Sequence, residues 1–350
     1  MVKIIFFAIL VIFPFGQLFK IGFLNLFDVA VLLLAMVTLW IRPKYPEWYK
    51  YFIYFLLSCV FGLILNYSLF SIHSALYLLR LWSYSMVAIY ISNFSSDLKA
   101  NSQRLVTVAV ASAIFGWLQY LIWSDLTALK YLGWDDHLLR MVGTFLDPTY
   151  LGLIFVLGAI LAFRHNLKII IYFLLFSLAF TYSRSSYLIA VLFLLFKKKY
   201  YAILFFALVI LFLPKNIGEG TNLARTVSGN NKLTNYVETV EIIKNSPVLG
   251  VGFNNICKAR QVYLGDTNTD SHGCNGSDSS ILFLIATTGV VGLIMFVSFI
   301  VKIPKSYTLI ISFVVVLIHS LFANSLFYPH IMFWLFALMG LETKGDSQRS

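Results

Sequence analysis

Charge is what this sequence has least of. Only 12% of its 350 residues are charged, about half the share of an ordinary soluble domain. With 60% of the chain hydrophobic and 33 phenylalanines, it cannot cover itself with a water-facing surface, which excludes a soluble globular protein. Acid is scarcer than base, 15 Asp and Glu against 26 Lys and Arg, a formal net charge of +11. The cations are scattered between apolar segments and no soluble basic domain gathers them, so membrane topology accounts for them and nucleic acid is not an expected partner. No Walker loop, dinucleotide glycine fingerprint or HExxH zinc pair occurs, so no cofactor and no metal are expected. Internal repeats, low-complexity tracts and the duplicated halves of many transporters are missing too. No A-x-A-like site follows the first apolar run, which is read as a retained span.

Apolar runs fill the chain. A bilayer core about 30 Å thick takes roughly 20 apolar residues per helix. Membrane-spanning strands would alternate in polarity over about 10 positions, whereas LVTVAVASAIFGWLQYLIW and IIIYFLLFSLAF are apolar on every side and read as helices. Polar interruptions mark candidate spans near 4–18, 21–41, 51–67, 72–93, 105–123, 142–163, 168–183, 186–196, 200–214, 280–301, 306–325 and 328–341. The expected fold is an all-α, polytopic integral membrane protein of about 12 transmembrane helices (10–12) with one large periplasmic loop containing an amphipathic helix. Its parts would be an N-terminal bundle over 1–214, the loop over 215–279, C-terminal helices over 280–341 and a cytoplasmic tail over 342–350. With both termini inside, the cytoplasmic connections hold Lys3, Arg42, Lys44, Lys50, Lys99, Arg104, Arg164, Lys168, Lys197 to Lys199, Lys302, Lys305, Lys344 and Arg349. The short outer connections hold only Lys20, Lys130, Arg140 and Arg184, as the positive-inside rule requires.

The chemistry is expected in the outer connections, because long loops without function are uncommon. In KLTNYVETVEIIK, Leu233, Tyr236, Val237, Val240 and Ile243 recur at helical spacing, which predicts an amphipathic helix on the membrane surface or against other helices. Asn230 or Asn231 would cap it, placing Lys232 in its first turn and Arg225 just before. A cation at that already positive end suggests an expected anion, although a solvated lysine would look the same. Arg80 is costly near the middle of a span and calls for a polar cavity or an interface to snorkel to. Arg184 falls where the chain turns between two cytoplasmic lysine clusters, at the outer edge of a helical hairpin. Arg80, Arg140, Arg184, Arg225 and Lys232 together suit a phosphorylated lipid, since guanidinium groups hold phosphate oxygens bidentately. Asp125, Asp135, Asp136, Asp266, Asp270 and Asp278 share that side. Cys257 and Cys274 either pair in an oxidising compartment or remain thiols, and Cys59 reads as a small core residue.

The segment KLTNYVETVEIIKNSPVLGVGFNN followed by GSDSSILFLIATTGVVGLIMF resembles the signature of the O-antigen polymerase and O-antigen ligase superfamily. The matching elements are Lys232 on a loop helix, Pro247 with Gly250 and Gly252 in a P-x-x-G-x-G turn, Asp278 with Ser279, and Gly289 with Gly292. RMVGTFLDPTYLG and TYSRSSYLIA are similar to two further family elements. Lys232 stands where arginine is commoner, Thr149 replaces an asparagine after Pro148, and Asp278 stands where ligases show histidine, which favours a polymerase.

The resemblance implies an enzyme: a glycosyltransferase, metal-independent and inverting, that moves a growing glycan from undecaprenyl pyrophosphate to a sugar hydroxyl on a second lipid-linked repeat unit of O-antigen or capsule. The sister reading is the ligase that transfers glycan to lipid A-core, and a rival of another class is a lipid-linked oligosaccharide flippase. The implied partners are the undecaprenyl-pyrophosphate-linked oligosaccharide, a chain-length regulator and a flippase. The implied place is the Gram-negative inner membrane with a periplasmic active site. Arg80, Arg140, Arg184, Arg225 and Lys232 would bind pyrophosphate. Asp278 or His272 would be the base, with His137 a weaker candidate. Asp278 also reads as an N-cap of the next span.

Overall fold

The computed structural model describes residues 2–21, 24–95, 97–132, 134–215, 219–269 and 272–347, which leaves Asp270 outside the described residues. Every apolar run read from the sequence contains a helix. In chain order these are α1 (Val2–Ile12), α2 (Leu26–Trp40), α3 (Glu47–Leu65), α4 (Ile72–Phe94), α5 (Leu98–Ile122), α6 (Pro148–Arg164), α7 (Lys168–Ala179), α8 (Arg184–Phe196) and α9 (Tyr200–Leu211). The 215–279 segment adds α10 (Val227–Asn245) and the single turn α11 (Ile256–Ala259), and α12 (Ser280–Lys302), α13 (Tyr307–His319) and α14 (Pro329–Ser347) follow. Among the described residues the only ladder is two residues long, with Lys20 opposite Asn25. Four helices, α3, α4, α5 and α12, are long and apolar enough to cross a membrane. Their outward faces and those of the shorter helices carry Phe61, Ile64, Leu121, Leu204, Leu208 and Val297 exposed. This is the surface of a membrane protein.

The chain divides into two compact units interleaved in sequence: Met1–Leu33, Ser95–Thr226 and Ser306–His319 form one, and Leu34–Phe94, Val227–Lys305 and Ser320–Ser350 the other. In the first unit α5 packs on α6 and α7. Trp117 stacks on Phe176 with ring centroids 5.4 Å apart, and its indole N–H donates to Ser177 Oγ at 2.9 Å. Asp147 caps α6 by accepting from Thr149 N at 2.6 Å, and Pro148 starts the helix where its missing N–H costs nothing. The short 3-10 turn before it, Gly143–Phe145, is held by Gln119 Oε1, which accepts from Val142 N at 3.0 Å and Gly143 N at 3.1 Å. Helices α7 and α8 form the hairpin read from the charges. Its turn ends at Ser183, whose side chain caps α8, so Arg184 is the first residue of that helix.

In the second unit α3 lies along α12 and α4 along α14. Helix α12 is broken at Gly289, which takes φ 63° and ψ −167°. A break leaves backbone groups unsatisfied, and in an apolar setting another backbone must take them up. The Pro247–Gly252 turn does so. Val251 N donates to Ala286 O at 2.9 Å and Gly252 N to Thr287 O at 3.0 Å, while Val290 N donates to Pro247 O at 3.0 Å and Val291 N to Val248 O at 3.2 Å. A side chain at Gly250 or Gly289 would occupy the facing backbone. The P-x-x-G-x-G and G-x-x-G elements are thus two halves of one clip, and only glycine permits the approach.

Helix α10 corrects one expectation. It begins at Val227, so Asn230 and Asn231 lie inside it and Lys232 falls in its second turn; the anion site expected at its first turn is not formed by Lys232. Its inward face, left open in the sequence, is a polar one. Asn235, Thr239 and Ile242 are buried, while Leu233, Val237 and Val240 are exposed. The inward face is the one that can hydrogen-bond a loop, and an outward apolar face costs little beside lipid.

Candidate functional site

In the first unit, three of the five cations read as phosphate ligands come together. Arg140 follows the 124–139 loop, Arg184 opens α8, and Arg225 precedes α10. Arg184 Nη1 donates to Arg225 O at 2.8 Å, and the Arg225 guanidinium donates to Gly220 O at 3.0 Å, Asn222 O at 3.2 Å and Tyr182 O at 3.2 Å. Arg140 lies beneath, only 8% exposed, with Nε donating to Thr181 O at 3.1 Å. Gly220 lets the loop approach, since a Cβ there would stand 2.6 Å from Arg140 Cδ.

Among the described residues Arg140 has no carboxylate within ion-pair distance, and the Thr181 carbonyl is its one side-chain hydrogen-bond acceptor. Burial and the neighbouring Arg225 push its pKa down to about 10. His137 is packed nearby, 6% exposed, with no hydrogen-bond partner on either ring nitrogen among the described residues. Burial first, then Arg140 and Arg225, lower its pKa to about 3. In these surroundings the ring is held neutral, and general-base work would call for an anion that offsets Arg140 and Arg225.

The second unit holds the other candidates. Asp278 does not cap α12: Ser279 does, accepting from Leu282 N. The Asp278 amide donates to Asn235 Oδ1 at 2.8 Å, and Asn235 Nδ2 donates to Gly276 O at 3.2 Å, so the inward face of α10 sets the Gly276–Ser279 turn. Tyr236 is near Asp278; burial and then that carboxylate push its pKa up to about 12. Its hydroxyl donates to Leu321 O at 2.6 Å. Lys232 reaches the Phe322 carbonyl, and the Arg80 guanidinium stands over the Tyr77 ring, 4.5 Å from its centroid. His272 begins a short helix that ends at Asn275; its side chain lies outside the described residues.

Sequence reasoning missed Asn235, which lies off the apolar stripe of α10, and it missed Arg260. Arg260 is 5% exposed and pairs with Glu238 and, at 2.7 Å, with Asp266. These partners, Glu238 foremost, raise its pKa. Gly273 packs flat against its guanidinium. Cys257 and Cys274, left open in the sequence, form a disulfide beside this pair, and Cys59 is a buried free thiol. Nothing in the spacing of Arg260, Glu238 and Asp266 announced the cluster.

The fold and these sites define a membrane protein with three clustered arginines, of which Arg140 is buried. Residues 169–297 match the family model described as O-antigen ligase. That stretch holds TYSRSSYLIA, Lys232, the P-x-x-G-x-G turn and Gly289 with Gly292, but not RMVGTFLDPTYLG, and it supports the O-antigen polymerase and ligase superfamily; a domain of that description implies a lipid-linked glycan substrate in general and suggests glycosyl-transfer chemistry in O-antigen processing. The match includes Arg184, Arg225, Lys232 and Asp278 but neither Arg80 nor Arg140. No curated protein matches the chain.

Proposed function

We propose that the protein is a polymerase of O-antigen or capsule repeat units, working at the outer face of the inner membrane and folded there as about twelve spans. Arg140 carries this reading: a buried cation beside a second arginine, without a carboxylate of its own among the described residues, suits an anion from outside the chain. A lipid pyrophosphate supplies that charge. In the transfer, the bond between the anomeric carbon and the pyrophosphate oxygen breaks, an acceptor hydroxyl oxygen forms the new bond, and its proton passes to a base. The electron pair of the broken bond stays on the departing lipid pyrophosphate, where Arg140, Arg184 and Arg225 offset it.

Asp278 is the proposed base. Ser279 relieves it of capping, and Asn235 fixes its backbone. Departure of an anionic leaving group needs no metal, and direct attack by the acceptor inverts the anomeric centre.

The description of the matching family favours a second reading, the ligase that moves finished glycan to lipid A-core. Deletion of the gene followed by gel analysis of lipopolysaccharide separates them. A product of core plus one repeat supports the polymerase. Polymer still made on its lipid carrier but missing from lipid A supports the ligase, and an unchanged ladder refutes both.

A further inference from the structure

His319, the last residue of α13, is fully buried and lies beyond the residues matched by the family model. Its Nε2 stands 3.1 Å from Ser185 Oγ and 3.2 Å from Ser186 Oγ. The protons of this network can be assigned. Ser186 has one hydroxyl proton, and the Thr149 carbonyl, 3.1 Å away, can only accept it. The Ser186 oxygen must then receive its other bonds, from the Ser183 hydroxyl at 2.9 Å and from His319. With Nε2 as the protonated nitrogen, it donates to both serine oxygens. Ser185 is left with a proton to give. Among the described residues its one remaining hydrogen-bond neighbour is Ser183 Oγ at 3.3 Å, a long contact that a better acceptor would displace.

Exposure singles out the same hydroxyl. Ser183, Ser186 and His319 are buried, whereas Ser185 is partly exposed and follows Arg184 directly at the head of α8. Gly152 closes the network from α6, since a Cβ there would stand 2.6 Å from Ser186 Oγ. Buried polar groups among apolar helices are costly unless each is satisfied, and here their satisfaction fixes the direction of one outward donor.

We propose that the Ser185 hydroxyl donates a hydrogen bond to a phosphate oxygen of the bound pyrophosphate and that His319 is the positioning residue that orients it. This rests on the reading of Arg184 as a pyrophosphate ligand. The test measures binding of undecaprenyl pyrophosphate and, separately, inorganic pyrophosphate to the full-length protein in nanodiscs. Ser185→Ala weakens both probes about tenfold, the loss of one charge-assisted hydrogen bond. His319→Phe weakens them similarly but adds nothing in the Ser185→Ala background. His319→Gln, whose amide still donates, restores binding.

If Arg184→Ala weakens binding and Ser185→Ala does not, the role of Ser185 is overturned and the arginine site stands. If Arg184→Ala itself has no effect, the pyrophosphate reading falls and the proposal with it. Weakening by Ser185→Ala of the lipid probe alone would place Ser185 against the prenyl chain and overturn the phosphate contact. Should His319→Phe not fold, Ser185→Thr decides: it keeps the hydroxyl and must retain binding, and a loss equal to that of Ser185→Ala overturns the proposal.

Discussion

Arg140 and Arg260 are the same residue at nearly the same burial, 8% and 5% exposed, in opposite surroundings. Arg260 is neutralised by Glu238 and Asp266 of its own chain, and its pKa rises. Arg140 faces another arginine, and its pKa falls to about 10. A buried cation that the chain neutralises itself contributes to the fold; one that it leaves to be neutralised points to a ligand. The comparison sorts cations that the sequence alone cannot.

The largest expected effect is on activity. Arg184→Ala and Arg140→Met each lower polymerisation by at least about a hundredfold in a cell-based ladder assay, because each removes charge stabilisation from the departing pyrophosphate. Arg140→Met leaves the melting temperature unchanged or raised, since it removes an uncompensated charge. Arg260→Met reverses the pattern: it strands two carboxylates, lowers the melting temperature, and reduces activity only as folded protein is lost. A normal melting temperature in Arg260→Met would erase the contrast.

Next in size is Asp278→Asn, expected to lower kcat by about a hundred- to ten-thousandfold with little change in KM, the signature of a lost base. Ser279→Ala, which removes the actual cap, costs about 1 kcal/mol of stability and spares kcat. Cys257→Ser, opening a closure between residues 17 apart, lowers stability by about 3 kcal/mol.

The smallest effect is a pH slope. The folded pKa of His137, about 3, lies below its ordinary 6.5, so the unfolded chain takes up a proton first as pH falls. His137 therefore costs stability progressively from about pH 6.5 down towards 3. Denaturation across that window should show a shallower slope in His137→Phe than in the wild type, and identical slopes would refute the neutral, buried histidine.

Much of the fold was legible because a membrane chain must bury backbone polar groups within helices, and long apolar runs between polar breaks mark them. The α7–α8 turn followed from the side on which lysines fall. The break of α12 at Gly289 did not, because hydrophobic periodicity carries no trace of a clip made by a distant turn. The inward face of α10 stayed open for a related reason: beside lipid, apolarity does not distinguish inside from outside, and it was Asn235, a polar residue, that turned inward. The basic residues were visible one by one, but their partners were not. Lys232 on the Phe322 carbonyl and Arg80 over Tyr77 look, in sequence, like Arg140.

The central claim is that Arg140, Arg184 and Arg225 are completed by a lipid pyrophosphate. Thermal unfolding of the purified protein with and without undecaprenyl pyrophosphate tests it most directly, because a ligand bound only by the folded state raises the melting temperature. The wild type should melt higher with the lipid, and Arg140→Met, although folded, should not respond. An equal rise in both proteins would contradict the account.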